Sequence, residues 1–279
     1  MIDRSRIGLN RIIHPDLNLE EFLKLAADLS VCKVELRNDL PNGEIIDTYS
    51  PEQVRELAEK SGIQIITINA LQHFNVSSLL PVLLEQLQEL VNLSTAISCN
   101  AIVLCPHNSV NDKRSPEQRF QETVDALKEF APVFAKHGLM GYVEPLGFEE
   151  SSLRSLVTAM KAIQESGSRY YKIVHDTFHH HIGPDTLETL DNEYDVSYTG
   201  LIHVSGVESD LSTNQYRDAH RILVTPADKL KSREQIEKLI TLGYEGDISF
   251  EPFAEDVQQM ELEDLKTVIQ ESIAYILGG

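Results

Sequence analysis

The sequence predicts an α/β fold, a (β/α)8 TIM barrel formed as a single domain over residues 1–279, and three observations carry that reading. Short apolar, β-branched runs alternate with amphipathic segments of helical period eight times along the chain. The joins between them are asymmetric. Helix-to-strand joins are short and carry Gly62, Gly138, Gly167 and Gly243, whereas strand-to-helix joins are long, above all 203–232. Finally, no Gly-x-Gly-x-x-Gly follows any apolar run, so an open dinucleotide-binding sheet lacks its phosphate loop, and no composition shift or Ser/Gly-rich linker divides the chain.

Taken in order, Ile7-Gly8-Leu9-Asn10 reads as the first strand, after which Asn18 caps a helix whose apolar face is Leu19, Phe22, Leu23 and Ala26. Residues 31–37 form the second strand. Ser50-Pro51-Glu52-Gln53 then opens a helix as a capping box with Pro at the first helical position, and the helix ends near Gly62. The third and fourth strands are 63–69 and 101–105, separated by a long apolar-periodic helix from about 78 to 98. Ser115-Pro116-Glu117-Gln118 repeats the capping pattern and starts a helix that stops at Lys136-His137-Gly138, before a fifth strand at 139–144 and a helix over 152–166. The sixth strand ends in Ile173-Val174-His175-Asp176-Thr177-Phe178-His179-His180-His181, where a β-branched run delivers one carboxylate and four imidazoles; the alternative is a His-rich surface turn. A short helix near 186–190, a seventh strand at 201–204, a helix capped by Ser232 in Ser232-Arg233-Glu234-Gln235, an eighth strand at 247–250 and an amphipathic helix at 262–277 complete the pattern.

Composition narrows the function classes. No apolar run approaches the roughly 20 residues of a membrane span, and Met1-Ile2-Asp3-Arg4 lacks the apolar stretch of a secretory signal, so the expected location is the cytoplasm with no membrane partner. Cys32, Cys99 and Cys105 are odd in number and show no Cys-x-x-Cys spacing, which points to buried free thiols rather than a disulfide framework or structural zinc site. A formal charge of −20 opposes a phosphate backbone, so no nucleic-acid partner is expected; an oligomer is compatible with the sequence.

Long strand-to-helix joins concentrate function at the carboxyl ends of barrel strands. Glu144, Asp176, His203 and Glu251 end the fifth to eighth strands and therefore share one rim. Neighbouring strands lie about 4.8 Å apart, so inward side chains from consecutive strands can meet. Three carboxylates gathered without a cation repel one another, and one divalent metal ion resolves the conflict. Oxygen-rich ligation with a single imidazole favours Mn²⁺ or Mg²⁺, with Co²⁺ or Zn²⁺ also compatible. Any one of these residues alone is more simply a solvated rim carboxylate or a hydrogen-bonded histidine; four consecutive strand ends carry the reading.

Val34-Glu35-Leu36-Arg37, Thr67-Ile68-Asn69-Ala70-Leu71-Gln72-His73-Phe74-Asn75, Glu144-Pro145-Leu146-Gly147, His175-Asp176-Thr177-Phe178-His179 and Ser249-Phe250-Glu251-Pro252-Phe253, in that order, resemble the xylose-isomerase-like sugar isomerase and epimerase barrels, inosose isomerase in particular. The resemblance implies that Glu144, Asp176, His203 and Glu251 are the metal ligands, and that Glu144 and Glu251 face each other across the substrate as the catalytic pair. It also implies that His179 touches a substrate oxygen and that Arg221, on the loop after the seventh strand, binds substrate. Two departures fall in the segment that shapes the pocket: His203-Val204-Ser205-Gly206 lacks the acidic residue expected soon after the histidine, and Thr225-Pro226-Ala227-Asp228 replaces Pro-Gly-x-Gly.

Arg37 and Asn69 are further candidate substrate-binding residues, because a polyol needs several positioned hydrogen bonds. Glu35 and Arg37 are also readable as a structural ion pair, and His107 stands at a strand end. Glu150 lies where sugar epimerases often place a substrate-binding acid, and His180 and His181 are expected to face solvent or to stand behind the ligands. The expected activity is metal-dependent isomerisation or epimerisation of a ketose, inosose or related sugar or cyclitol, by proton transfer through an ene-diolate. The rivals are an inosose- or dehydroshikimate-type dehydratase, an endonuclease IV-like metal phosphodiesterase that the acidic charge opposes, and a non-catalytic sugar-binding barrel.

Overall fold

The strands among the described residues are four to eight residues long and mostly buried, the pattern a parallel sheet acquires when helices cover its outer face. The computed structural model describes residues 2–41 and 43–278. Its strands are β1 (Ile7–Asn10), β2 (Lys33–Arg37), β3 (Gln64–Leu71), β4 (Ala101–Leu104), β5 (Met140–Val143), β6 (Tyr171–Asp176), β7 (Thr199–Val204) and β8 (Asp247–Phe250). They pair in parallel in chain order, and β8 returns to β1 to close the barrel. The expected (β/α)8 TIM barrel is the observed fold.

The helices are α1 (Leu19–Asp28), α2 (Pro51–Ser61), α3 (Leu80–Ala96), α4 (Pro116–His137), α5 (Leu156–Ser166), α6 (Thr177–Ile182), α7 (Leu187–Asn192), α8 (Ser232–Thr241), α9 (Glu255–Gln258) and α10 (Leu262–Leu277). Their apolar stripes pack on the outward strand residues, with Phe22, Leu87, Phe130, Ile236 and Ile269 all fully buried between the layers. Inside the barrel, Ile66, Val103, Val174 and Leu201 form an apolar plug with Tyr142 packed against it. Below the plug, the amino ends of β2 and β8 are tied by Lys33 and Asp247 at 2.5 Å. Above it, the inward positions turn polar.

The helix starts follow the expected chemistry at Asn18 and Ser50, which both form complete capping boxes, and at Ser115, whose side chain accepts from the Gln118 amide. Three local expectations are corrected. Ser155 caps α5, because Ser152 is committed elsewhere: its amide donates to the His107 carbonyl and its hydroxyl to Asn75. Ser232 is not a cap. Lys231 occupies that position at φ +57°, Asp228 accepts the Ser232 amide, and the buried Ser232 hydroxyl donates to the Ser205 carbonyl. The histidine-rich stretch is neither an extended mouth nor a surface turn beyond Asp176, since Thr177–Ile182 is the helix α6. Cys99 and Cys105 are buried and Cys32 partly so, all as free thiols. Among the described residues no helix is long and apolar enough to cross a membrane.

Candidate metal centre and active site

The four strand-end residues meet. Asp176 is the last residue of β6, His203 the penultimate residue of β7, and Glu144 and Glu251 follow β5 and β8 directly, each still tied to the sheet through its backbone amide. All four are buried, and one candidate ligand atom from each lies within 4.8 Å of every other. Alternation along the strands turns them inward: the register pairs Asp176 with His203 and His203 with Ser249, and Glu251 is the next position on the same face as Ser249.

His203 sits at the middle of the group. Its Nδ1 is 2.8 Å from Glu144 Oε1 and 3.3 Å from Glu251 Oε2, while Nε2 is 3.0 Å from Glu35 Oε2. Burial alone would hold this imidazole neutral, yet Glu251, Glu35 and Glu144 push it well above the usual range. Burial would likewise raise Glu251, but His203, Arg221 and Arg37 pull it well below an ordinary carboxylate. Asp176 goes the other way: burial pushes it up, with Arg221 opposing and Glu251 reinforcing the rise. One Arg221 nitrogen, Nη2, donates to both Asp176 Oδ2 at 2.6 Å and Glu251 Oε2 at 2.8 Å, so one cation serves two anions and the carboxyls are driven apart.

This electrostatic shortage of positive charge is the test of whether the residues suit a divalent cation, and they do. A proton on His203 Nδ1, between Glu144 and Glu251, occupies the position from which a neutral imidazole would offer its lone pair. Three carboxylates and one nitrogen match hard or borderline divalent ions, and thiolate ligation is disfavoured because burial followed by Glu144 pushes the adjacent Cys105 thiol well up.

The other expected site residues fall into distinct places. Arg37, Asn69, His179, Arg221, Glu144 and Glu251 all line one cavity of about 170 Å³ at the carboxyl end of the barrel. Arg37 grips Asp39 through Nε and Nη2 and donates from Nη1 to Glu251 Oε1 at 2.6 Å. Arg37 and Arg221 lie over the Phe253 ring, 5.2 and 4.6 Å from its centroid, so both guanidiniums are stacked as well as hydrogen-bonded. His179, on α6, is held neutral down to about 4 by burial and then by Arg221, and its Nδ1 has no partner among the described residues.

Other expectations are revised. Glu35 does not pair with Arg37; it turns across the barrel to His203, and Arg37 turns to Asp39 and Glu251. Asn69 belongs to the same network, donating to Glu35 Oε2 at 2.9 Å. Glu150 lines a neighbouring cavity with Arg217 and Asn214, outside the one lined by Glu144 and Glu251. His107 faces His73, with Nδ1 atoms 3.3 Å apart. His180 is buried behind the ligands against His175, at 4.8 Å between ring centroids, while His181 is partly buried and stacks on Tyr216. Sequence reasoning missed Asn10, whose Nδ2 bridges Glu35 Oε1 and Glu251 Oε1, and the aromatic wall of Phe148 and Phe253. The signal for Asn10 was present: a polar residue ending a buried strand beside Glu35, its register partner in β2.

A closed (β/α)8 barrel with three carboxylates and one imidazole converging at its carboxyl rim defines a class of barrels with a buried polar centre that could hold a metal ion. Within that class the chain belongs to the xylose isomerase-like TIM barrel family, whose model matches residues 23–277. A xylose isomerase domain-containing protein from Salmonella typhimurium LT2 is 37% identical, with 99% of each chain covered and a TM-score of 0.92. The fold is also shared with the IolI protein, crystallised with a bound zinc atom, at 18% identity, 98% coverage of each chain and a TM-score of 0.89. D-psicose 3-epimerase from Clostridium cellulolyticum H10, crystallised with D-tagatose, gives 17% identity, 98% coverage of each chain and a TM-score of 0.74. No curated protein sequence matches the chain significantly.

Proposed function

We propose that this protein is a metal-dependent isomerase or epimerase of a ketose, inosose or related polyhydroxy carbonyl compound. The observation that carries the reading is the placement of two carboxylates, Glu144 and Glu251, in one polar cavity, where both converge on His203 Nδ1. Glu144, Asp176, His203 and Glu251 would hold one divalent ion, Mn²⁺ or Mg²⁺ by donor chemistry, with Co²⁺ or Zn²⁺ compatible. The zinc atom in the IolI protein supports a cation at a centre on this fold. When bound, the ion supplies electrostatic stabilisation of the negative charge that develops beside the carbonyl.

The chain's own residues do the rest. Glu144 makes no ion pair with a guanidinium among the described residues, whereas Glu251 receives Arg37, Arg221 and Asn10; the less engaged Glu144 carboxylate is the candidate base for the C–H proton. Glu251, which lines the same cavity, would return or accept a proton as the second carboxylate of the pair. His179, neutral, offers an imidazole to a substrate oxygen, while Arg37 and Arg221 keep the carboxylates in place and present their edges to the cavity. Phe148, Phe253 and Leu146 wall the cavity with apolar surface. The D-psicose 3-epimerase fold relative supports a ketose-sized substrate.

Metal-loaded protein incubated with a panel of ketoses and inososes, with products followed by NMR, tests this. Interconversion of a substrate with an isomer or epimer supports the reading. A product lacking one water would replace it with a dehydratase, and no turnover of any member with retained binding would replace it with a sugar-binding barrel.

A further inference from the structure

We infer that Glu35 is the positioning residue that fixes the tautomer and orientation of His203, so that a carboxylate on β2 prepares a ligand on β7 from across the barrel; this rests on the metal-centre reading above. Glu35 is wholly buried and follows Val34 in a strand whose next inward residue is Arg37, yet the two do not touch in the ion-pair sense. Its ion-pairing partner among the described residues is His203, with Oε2 3.0 Å from Nε2. The same Oε2 accepts from Thr67 Oγ1 at 2.5 Å and Asn69 Nδ2 at 2.9 Å, and Oε1 accepts from Asn10 Nδ2 at 3.3 Å.

The consequence follows from what each group can do. An ionised carboxylate only accepts, and a neutral imidazole carries one N–H. With a cation beside Glu144 and Glu251 displacing the proton from Nδ1, a carboxylate at Nε2 would keep the remaining hydrogen on that nitrogen and leave the Nδ1 lone pair for the ion. Thr67, Asn69 and Asn10 come from β3 and β1, which flank β2, so two neighbouring strands hold the Glu35 carboxylate that holds the imidazole. Removing such a support weakens metal affinity by about 10- to 100-fold.

The experiment strips full-length protein with chelator and titrates it with Mn²⁺, reading free Mn²⁺ by electron paramagnetic resonance, with thermal melting of the stripped protein in parallel. Wild type should bind one ion. Glu35→Ala should bind about 10- to 100-fold more weakly, and Glu35→Gln, whose amide oxygen can still accept from Nε2, should recover part of that loss. Thr67→Val removes a different donor to the same carboxylate while leaving the His203 contact, so it should lower the melting temperature with a smaller loss of affinity than Glu35→Gln. If Glu35→Ala does not fold, the Gln and Val variants carry the comparison. Mn²⁺ affinity in folded Glu35 variants equal to wild type, or an equal loss in Thr67→Val and Glu35→Gln, would overturn the positioning role while leaving the metal centre standing. Wild type that binds no divalent ion would overturn both.

Discussion

Replacing Glu144 by Gln should stop proton transfer while leaving the architecture almost intact, and replacing Glu251 should damage both. Glu144 Oε1 meets His203 Nδ1 at 2.8 Å and Oε2 accepts from the Cys105 thiol at 3.6 Å, contacts that an amide of the same shape largely keeps. The lost general base costs about 10²- to 10⁴-fold in kcat, or about 3–5 kcal/mol of barrier. The altered hydrogen bonding costs the stripped fold about 1 kcal/mol, or roughly 2–4 °C. Glu251→Gln instead takes a negative partner from two buried guanidiniums, Arg37 at 2.6 Å and Arg221 at 2.8 Å. Each keeps another carboxylate, Asp39 and Asp176, so the net loss is about 3 kcal/mol after relief of repulsion among the carboxylates, or roughly 6–12 °C. The assay is turnover in D₂O with NMR detection of deuterium at the carbon beside the carbonyl, alongside melting of chelator-treated protein. Both variants should lose the exchange and only Glu251→Gln should melt far below wild type. Glu144→Gln with undiminished exchange and kcat within about tenfold of wild type would refute the assignment of the base.

Protein purified without chelator should carry one divalent ion per chain by elemental analysis; His203→Ala should lose that ion, and His179→Ala should keep it while losing most of kcat/KM, since His179 stands outside the ligand group. Gly147→Ala should distort the site from outside it, because a Cβ there would lie 2.1 Å from the His179 carbonyl oxygen and 2.9 Å from the Gly183 amide nitrogen; a crystal structure should show α6 displaced, with kcat/KM reduced. Arg114, then the neighbouring Arg119, lowers Asp112 to about 2, so its contribution is complete above the unfolded value near 4 and lost as pH falls from there toward 2. The Asp112 side chain is 3% exposed and that of Arg114 13%, so the contribution is about 2 kcal/mol, and the gap in urea midpoint between wild type and Asp112→Asn should shrink between pH 6 and pH 3.

The fold was legible because its determinants are local and repeated. Capping boxes at Asn18 and Ser50 mark helix starts whatever the tertiary context, and glycines at 62, 138 and 167 with positive φ mark their ends. The four candidate ligands were legible because strand ends at one rim of a closed sheet must meet. What stayed hidden depended on choices between partners. Glu35 and Arg37 share a face of β2, and proximity in sequence suggested a pair; inside a barrel, however, a side chain can cross to the opposite strands, and His203 wins Glu35 because Asp39 and Glu251 hold Arg37. Ser232 resembles a cap by type, but its hydroxyl is drawn to the Ser205 carbonyl, and Asp228 from the loop takes over the amide. Nothing in the local sequence sets that competition.

The spacing Asp176-x-x-His179 shows how one local rule can serve both structure and site. Asp176 ends β6 and is also the N-cap of α6, its Oδ1 accepting from the amides of Phe178 at 2.7 Å and His179 at 3.0 Å. That leaves Oδ2 for the centre, where Arg221 now meets it at 2.6 Å. A cap side chain folds back over the first turn, so the third helical residue lies beside it, and an imidazole at that position is carried to the rim of the cavity by the hydrogen bond that starts the helix. The distance between a candidate ligand and a candidate substrate contact is thus set by backbone geometry, with Gly147 allowing the β5 loop to press against α6 from the other side. An insertion or deletion between Asp176 and His179 would break the cap and the site together, which is why the spacing reads as a functional element although each half of it is an ordinary helix start.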